Sequence, residues 1–201
     1  MNIAVIGSGK IGGTLAKKWA AAGHQVVIGA RDPAKAEVQQ VAKDVGGKAT
    51  SIDEAVRGAD AVLFAVPGAA MAGTVAGLGA ALNDKLVIDA TNNIGAPVVN
   101  SIGAISAAAP TAAVYRAFNI YGFENFAQPV LNGVQADLFF AGTDGAPRER
   151  AEQLIADVGL HPVWLGGPDH AELTDQFLRI WFTLVFEQKK GRRLAFKLLS
   201  G

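Results

Sequence analysis

At 201 residues, half of them hydrophobic, the chain is long enough for one domain with a small appendage and a sizeable core. Eighteen Lys and Arg balance eighteen Asp and Glu, so net charge draws it toward neither nucleic acid nor a membrane surface. The absence of cysteine excludes disulfides, zinc–thiolate sites and thiol nucleophiles.

Asn2 to Ile6 is a short apolar run and reads as a buried strand. Gly7, Gly9 and Gly12 follow in G-x-G-x-x-G spacing, and Ile11, Leu15, Ala16 and Trp19 then recur at helical spacing. Strand, glycine turn and helix in that order are the context a dinucleotide fingerprint needs. Gly7 permits the sharp turn, Gly9 leaves room for a pyrophosphate, and Gly12 lets helix and strand pack closely. The helix N-terminus then faces the phosphates. A glycine-rich turn without a ligand is the plainer alternative.

Gln25 to Ile28 is the second expected strand, and Pro33 opens a helix running to about Val45. Asp32 looks like that helix's N-cap. Ala49 to Ser51 is a short strand and Ile52 to Arg57 a short helix. Ala61 to Val66 is apolar throughout, as expected of a parallel strand covered on both faces. The uncharged run Ala61 to Leu82 is long enough to raise a membrane span, but Pro67 and four glycines interrupt it, so strand plus buried helix is preferred. Further strands are expected at Lys85 to Asp89, Ala113 to Phe118, Asp137 to Ala141 and Leu160 to Leu165. Pro147 to Val158 reads as an amphipathic helix. From Asp169, its apparent cap, a last helix is expected to run nearly to the end. The alternation predicts an α/β Rossmann-type, doubly wound, mostly parallel sheet. The expected division is a dinucleotide-binding domain over residues 1–168 and a helical segment over 169–201 that closes the cleft. The sequence goes straight into the first strand with no visible basic leader region, and a cytoplasmic location is expected.

The end of the second strand selects the dinucleotide. An acid there favours NAD through the ribose 2′-OH, whereas an Arg accommodates the 2′-phosphate of NADP. Here Ala30 holds the acid position, Arg31 follows, and Lys35 lies nearby, which favours NADP. Asp32 is the competing ribose acid by simple spacing, and a merely solvated Arg31 is the bland alternative. Ligands sit outside the carboxyl ends of parallel strands. Val66 and Pro67 end one such strand with a stiff turn free of long side chains. Asn92 and Asn119 follow two others and offer amides to a carboxamide or a substrate carbonyl, or else simply form turns.

The chain resembles the NADPH-dependent deazaflavin (coenzyme F420) reductases, also called F420:NADP oxidoreductases. The resemblance rests on Ile6-Gly-Ser-Gly-Lys-Ile-Gly12, Gly23-His-Gln-Val-Val-Ile-Gly-Ala-Arg31, Asp89-Ala-Thr-Asn92, Ala117-Phe-Asn119 and Gly191-Arg-Arg-Leu-Ala-Phe-Lys-Leu-Leu199. The same domain is similar to the cytosolic part of six-transmembrane metalloreductases. The resemblance implies a Rossmann domain with a small helical part closing the cleft. It also implies NADP held through Ser8, Gly9, Lys10, Ile11, Ala30 and Arg31, with Lys35 and Pro67. Two positions depart from the family pattern. Ala30 replaces a common hydroxyl residue, which removes a donor to the 2′-phosphate, and Asn93 stands where Pro often follows Thr-Asn.

No catalytic side chain and no metal site is expected. His24, His161 and His170 never form metal-ligand spacing, and His24 and His161 read as structural. That agrees with hydride transfer between bound rings, where the protein supplies orientation. The expected function is hydride exchange between NADPH and a deazaflavin (coenzyme F420) or flavin-like acceptor, a small-molecule partner. Two alternatives stand beside it. One is reduction of a small carbonyl or imine, with Asn119, Tyr121 or His170 as donor; the other is a redox sensor that only binds NADP(H). Trp181 and Phe182 on the apolar last helix are read as core, with a ring-stacking wall as the alternative. The cluster Lys189, Lys190, Arg192 and Arg193 is read as a solvated face, or as a seat for an anionic acceptor tail. The apolar last helix makes a homodimer plausible.

Overall fold

The computed structural model describes residues 1–199. Its parallel strands are β1 (Asn2–Ile6), β2 (Gln25–Gly29), β3 (Lys48–Thr50), β4 (Ala61–Phe64), β5 (Leu86–Asp89) and β6 (Ala113–Arg116). Across the sheet they run β3–β2–β1–β4–β5–β6, so the order reverses between β1 and β4. That reversal is the switch point where a doubly wound sheet opens a crevice for ligands. A hairpin, β7 (Val130–Leu131) and β8 (Val134–Gln135), stands apart. β9 (Asp137–Gly142) joins β6 antiparallel, and β10 (His161–Trp164) continues the sheet parallel to β9. The fold is thus the expected Rossmann-type α/β sheet with a helical C-terminal part.

Helices cover both faces, which is why the strands read as apolar runs rather than as alternating patterns. The helices are α1 (Lys10–Ala21), α2 (Ala36–Asp44), α3 (Ile52–Arg57), α4 (Met71–Leu78), α5 (Ile102–Ala108), α6 (Phe123–Ala127), α7 (Ala146–Val158) and α8 (Ala171–Phe182). Ile3 and Val5 enter one core with Leu15, Trp19, Leu154 and Phe118; Ala4 and Ile6 enter the other with Val56, Val75 and Ile105. Trp19 is fully buried, and its Nε1 donates to the Leu154 carbonyl oxygen at 2.9 Å, pinning α1 to α7. Truncating it to Ala is expected to cost about 3–5 kcal/mol, as for a large aromatic removed from a packed core.

Several expectations need correction. The helix expected from Pro33 begins at Ala36, with Lys35 at its N-cap. Asp32 does not cap it; its Oδ1 accepts from the Ala34 N–H at 3.2 Å in a tight local turn. Asp169 does not cap α8 either, because a single 3₁₀ turn, Pro168–His170, intervenes and puts His170 at that position. The last helix stops early. A π-turn over Thr183–Glu187 ends it, and residues 188–199 have no helix or strand. Positions 200 and 201 of the expected closing segment lie outside the described residues. The short α5, α6 and the hairpin were not anticipated, although the hairpin's Asn132-Gly133 turn is the sequence that two positive-φ residues require.

No described helix is long and apolar enough to cross a membrane.

Candidate functional site: a dinucleotide cleft at the switch point

The three fingerprint glycines are required for three different reasons. Gly7 has φ +112°, and a Cβ there would lie 2.5 Å from the Ala65 carbonyl oxygen. A Cβ on Gly12 would lie 2.0 Å from the Gly7 carbonyl oxygen, so only glycine lets α1 approach the turn. Gly9 is the opposite case: a Cβ would meet nothing within 4 Å. Its backbone faces open space at the start of α1, whose first turn carries no acidic side chain. The exposed amides there favour an anion.

That open space is a cleft of about 310 Å³ between the ends of β1, β2 and β4. Gly7, Ser8 and Gly9 form its floor, Ala30, Arg31 and Lys35 one wall, and Val66 and Pro67 the other. Eight of the sequence-selected residues therefore line one cavity. The Gly7 N–H donates to the Gly29 carbonyl oxygen at 3.3 Å and the Ala30 N–H to Thr50 at 3.1 Å, so floor and wall share one frame. Arg31 is exposed and has no ion-pair partner among the described residues. Lys35 differs: its Nζ lies 2.8 Å from Glu37, which holds its pKa above the ordinary value. Ile52, Ala70 and Thr74 also line the cleft, and nothing in their local sequence singles them out.

Lys10 turns away from the cleft. Its Nζ sits 5.0 Å from the Phe123 ring centroid, and it borders a second hollow on the other flank of α1 with Thr14 and Lys17. Ile11 packs its side chain against the core, which leaves only its backbone for a ligand.

Asn92 and Asn119 come together, but not as free amides. Asn92 Nδ2 donates to the Asn119 carbonyl oxygen at 2.9 Å, and its Oδ1 accepts from Arg116 at 2.7 Å. Asn119 is 1% exposed, and its Nδ2 faces Thr174 Oγ1 and Asp175 Oδ1, both at 3.3 Å. Its Oδ1 is buried without a partner. An orphaned acceptor of this kind costs about 1–3 kcal/mol. The adjoining Phe118 has φ +60°, a costly conformation for a bulky residue, held by edge contacts with Trp19 and Phe126. Strain and an unspent acceptor thus meet at the end of β6, beside the crevice.

The residue that organises this corner was missed by the sequence reading. Arg116 is 0% exposed and ion-pairs with Asp175 at 2.7 Å and with Asp89 at 3.3 Å. In sequence it is one Arg closing an apolar strand, which gives no hint of three buried charges.

The remaining candidates are committed to structure. His24 Nε2 lies 2.8 Å from Asp157, and His161 Nδ1 lies 2.9 Å from Asp137. His170 packs its ring over Gly166, where a Cβ would lie 2.8 Å from Nδ1. The Tyr121 hydroxyl donates to the Asp137 carbonyl oxygen at 2.7 Å and accepts from the Phe196 N–H at 2.9 Å. Burial pushes its pKa far up, so it keeps its proton. Trp181 is core, with its Nε1 bonded to the Leu194 carbonyl oxygen at 2.7 Å. Phe182 is only partly buried. Within the basic cluster, Arg192 and Arg193 are not a free anion seat. Arg192 grips Glu124 at 2.6 and 3.2 Å, and Arg193 donates to the carbonyl oxygens of Glu124, Gln128 and Val130. Together they fasten residues 188–199 against α6.

Comparisons with known proteins agree with this geometry. Residues 2–93, from β1 through the Asn92 loop, match the family described as NADP oxidoreductase, coenzyme F420-dependent. A curated F420-dependent NADP reductase of Methanothermobacter thermautotrophicus is 37% identical over 111 residues, 51% of this chain and 46% of that protein. The match spans about half the length of that curated relative. A solved structure from Arthrobacter sp. FB24, presented as a candidate F420-dependent NADP-reductase, superposes with a TM-score of 0.88 at 24% identity, covering 100% of both chains. A reductive aminase from Aspergillus terreus, solved with NADPH and ethyl-5-oxohexanoate, gives a TM-score of 0.71 at 19% identity, over 93% of this chain and 62% of its own. At such identities these two structures speak for the fold. The resemblance read from the sequence is borne out: residues 2–93 match the model of the coenzyme F420-dependent NADP oxidoreductases, and the curated relative is an F420-dependent NADP reductase.

Proposed function

We propose that the protein is an NADP(H)-dependent oxidoreductase that exchanges hydride with a deazaflavin such as coenzyme F420, or with a flavin-like acceptor. The observation that carries the cofactor is the open Gly9 backbone at one end of a cleft whose other end holds the unpaired Arg31. Backbone amides of Ser8 to Ile11 would receive the pyrophosphate. Arg31 would fork onto the 2′-phosphate, with Lys35 contributing charge once it leaves Glu37. Val66 and Pro67 leave passage for the dinucleotide toward the ends of β5 and β6, where Asn92 and Asn119 stand. Residues 169–199 would close that end.

When bound, the nicotinamide supplies the hydride, with its two electrons, and solvent supplies the accompanying proton. The chain's own task is orientation and exclusion of water. The engagement of Tyr121, His24 and His161 elsewhere in the fold supports an acceptor that needs no dedicated acid. Tyr121 is spent on backbone groups, and His24 and His161 face carboxylates.

Anaerobic mixing of the protein with NADPH and a panel of acceptors tests the proposal. Oxidation is expected to be fastest with the deazaflavin, slower with free flavins, and slight with small ketones or imines. Faster turnover of a carbonyl or imine would favour the second reading, which draws on the shared fold of the reductive aminase. NADPH binding with no oxidation by any acceptor would favour a sensor.

A further inference from the structure

We infer that Arg116 and Asp175 are positioning residues for hydride transfer, holding the nicotinamide-side wall of the crevice in one register. The inference rests on the proposed function. Every N–H of the Arg116 guanidinium is used. Nε and one Nη donate to Asp175 Oδ1 at 3.0 and 2.7 Å. That Nη also reaches Asn92 Oδ1 at 2.7 Å, and the other meets the carbonyl oxygens of Asp89, at 3.2 Å, and Thr91. Five donors thus make five hydrogen bonds to four acceptor atoms, the full donor capacity of the side chain.

The acceptors come from separate elements. Asp89 ends β5, Thr91 and Asn92 form the loop behind it, Arg116 ends β6, and Asp175 belongs to α8. The two carboxylates extend the network. Asp89 takes the N–H and hydroxyl of Thr91 on Oδ1 and the Ser101 N–H on Oδ2. Asp175 takes Asn100 Nδ2 on its free oxygen at 2.8 Å and the Asn119 amide on the other. The loop fixed in this way packs directly on the cleft. A Cβ on Gly68, just beyond the Pro67 wall, would lie 2.5 Å from Asn93 Cα.

Burying three charges is a poor route to stability, because well-packed apolar side chains of similar volume often do as well or better. What the pair supplies is placement. β5 and β6 are already paired through Asp89 and Arg116, and the planar fork of Arg adds fixed distances and angles to the Thr91–Asn92 loop and to α8, which no strand ladder joins. Hydride transfer requires reacting atoms to be held closely, and a misplacement of about 1 Å can cost about a hundredfold in rate. The network therefore governs the reacting end of the dinucleotide and leaves the Arg31 end untouched.

The test compares wild type with Asp175→Asn, which keeps the shape and one oxygen, and with Arg116→Lys, which keeps the charge but loses the fork. Three quantities are measured: the thermal midpoint, affinity for 2′,5′-ADP and for NADPH, and the single-turnover rate of hydride transfer from 4-deuterated and ordinary NADPH. The expected result for Asp175→Asn is an unchanged 2′,5′-ADP affinity. Its transfer rate should fall at least tenfold, within the range set by misplacement, with a full isotope effect. Should Arg116→Lys fail to fold, Asp175→Asn carries the test alone. An unchanged transfer rate in folded Asp175→Asn overturns the inference. So does a parallel loss of 2′,5′-ADP affinity, which marks a general structural role. If wild type transfers hydride to no acceptor, the functional reading fails by itself. The inference is then judged on binding: Asp175→Asn must weaken NADPH while sparing 2′,5′-ADP, and equal effects on both overturn it.

Discussion

Asn92 donates its amide to the Asn119 carbonyl oxygen at 2.9 Å, joining the ends of β5 and β6 at the lip of the crevice. The contact turns Asn92 from a ligand-facing amide into a tie rod, because its remaining oxygen is held by Arg116. It also fixes the backbone at Asn119, whose Oδ1 stays buried and unpaired. The crevice therefore has two unlike ends. The Arg31 end is open, exposed and positively charged, whereas the far end is rigid, with its one buried cation, Arg116, paired with the two carboxylates of Asp89 and Asp175.

The first prediction concerns the open end. Arg31→Ala is expected to cost about 1.5–3 kcal/mol of NADPH affinity, the range for a hydrogen bond to a charged group. NADH affinity should stay nearly constant, because it has no 2′-phosphate. Isothermal titration with both cofactors measures this, and equal losses for the two would show that Arg31 does not read the phosphate.

A second prediction separates two glycines of one motif. Gly9→Val should abolish binding of NADPH and NADH yet leave unliganded thermal unfolding nearly unchanged, since its Cβ would enter empty space. Gly12→Ala should lower the thermal midpoint, because its Cβ would lie 2.0 Å from a backbone oxygen. Wild-type affinity in Gly9→Val would remove the glycine turn from the cofactor site.

How far the sequence revealed this arrangement follows from the range of the forces involved. The glycine turn, Arg31 and Pro67 were legible because each acts through local backbone geometry or strand position. Residues far apart in the chain were not. Arg116, Asp175 and Asp89 acquire their meaning only when α8 folds back on β6. The same holds for Arg192 and Arg193, whose charges looked free until α6 was in place. The early end of α8 was hidden because Thr183 to Glu187 keeps helical composition while its hydrogen bonding widens into a π-turn. Asn132-Gly133, by contrast, signals its hairpin through local turn chemistry alone, with positive φ at both residues.

The fastening of residues 188–199 should be acid-sensitive. Burial pushes the Asp137 pKa up, but the Leu198 N–H, Lys197 and His161 outweigh it and hold the carboxyl below its ordinary value. A depressed carboxylate contributes stability above its unfolded pKa, about 3.9, and that contribution is lost as pH falls through the lower folded value. Glu124, held down by Arg192, acts in the same direction. Amide exchange at Phe196 and Leu198 should therefore accelerate below about pH 4, ahead of exchange in β1. In Asp137→Asn it should already be fast at neutral pH. Uniform acceleration across the chain would mean that the segment does not open separately.

Tyr121 decides between the two enzymatic readings. Its hydroxyl bridges the Asp137 carbonyl oxygen and the Phe196 N–H, and it is 4% exposed. Its pKa is raised by burial, so the folded state keeps a proton that the unfolded chain releases. Its share of stability is present below the unfolded phenol value, about 10, and is lost as pH rises from there. Tyr121→Phe removes one donor and one acceptor and should destabilise the protein by about 1–3 kcal/mol, the cost of leaving buried backbone groups unpaired. Hydride transfer to a deazaflavin or a flavin should be unaffected per folded molecule. A reductase of carbonyls or imines would need a proton at the developing alkoxide or amine, and a positioned acid contributes about 10² to 10⁴ in rate. If Tyr121→Phe lost such a factor toward a ketone or imine while the deazaflavin rate held, Tyr121 would be a proton donor that reaches the crevice. The carbonyl or imine reading would then replace the one proposed.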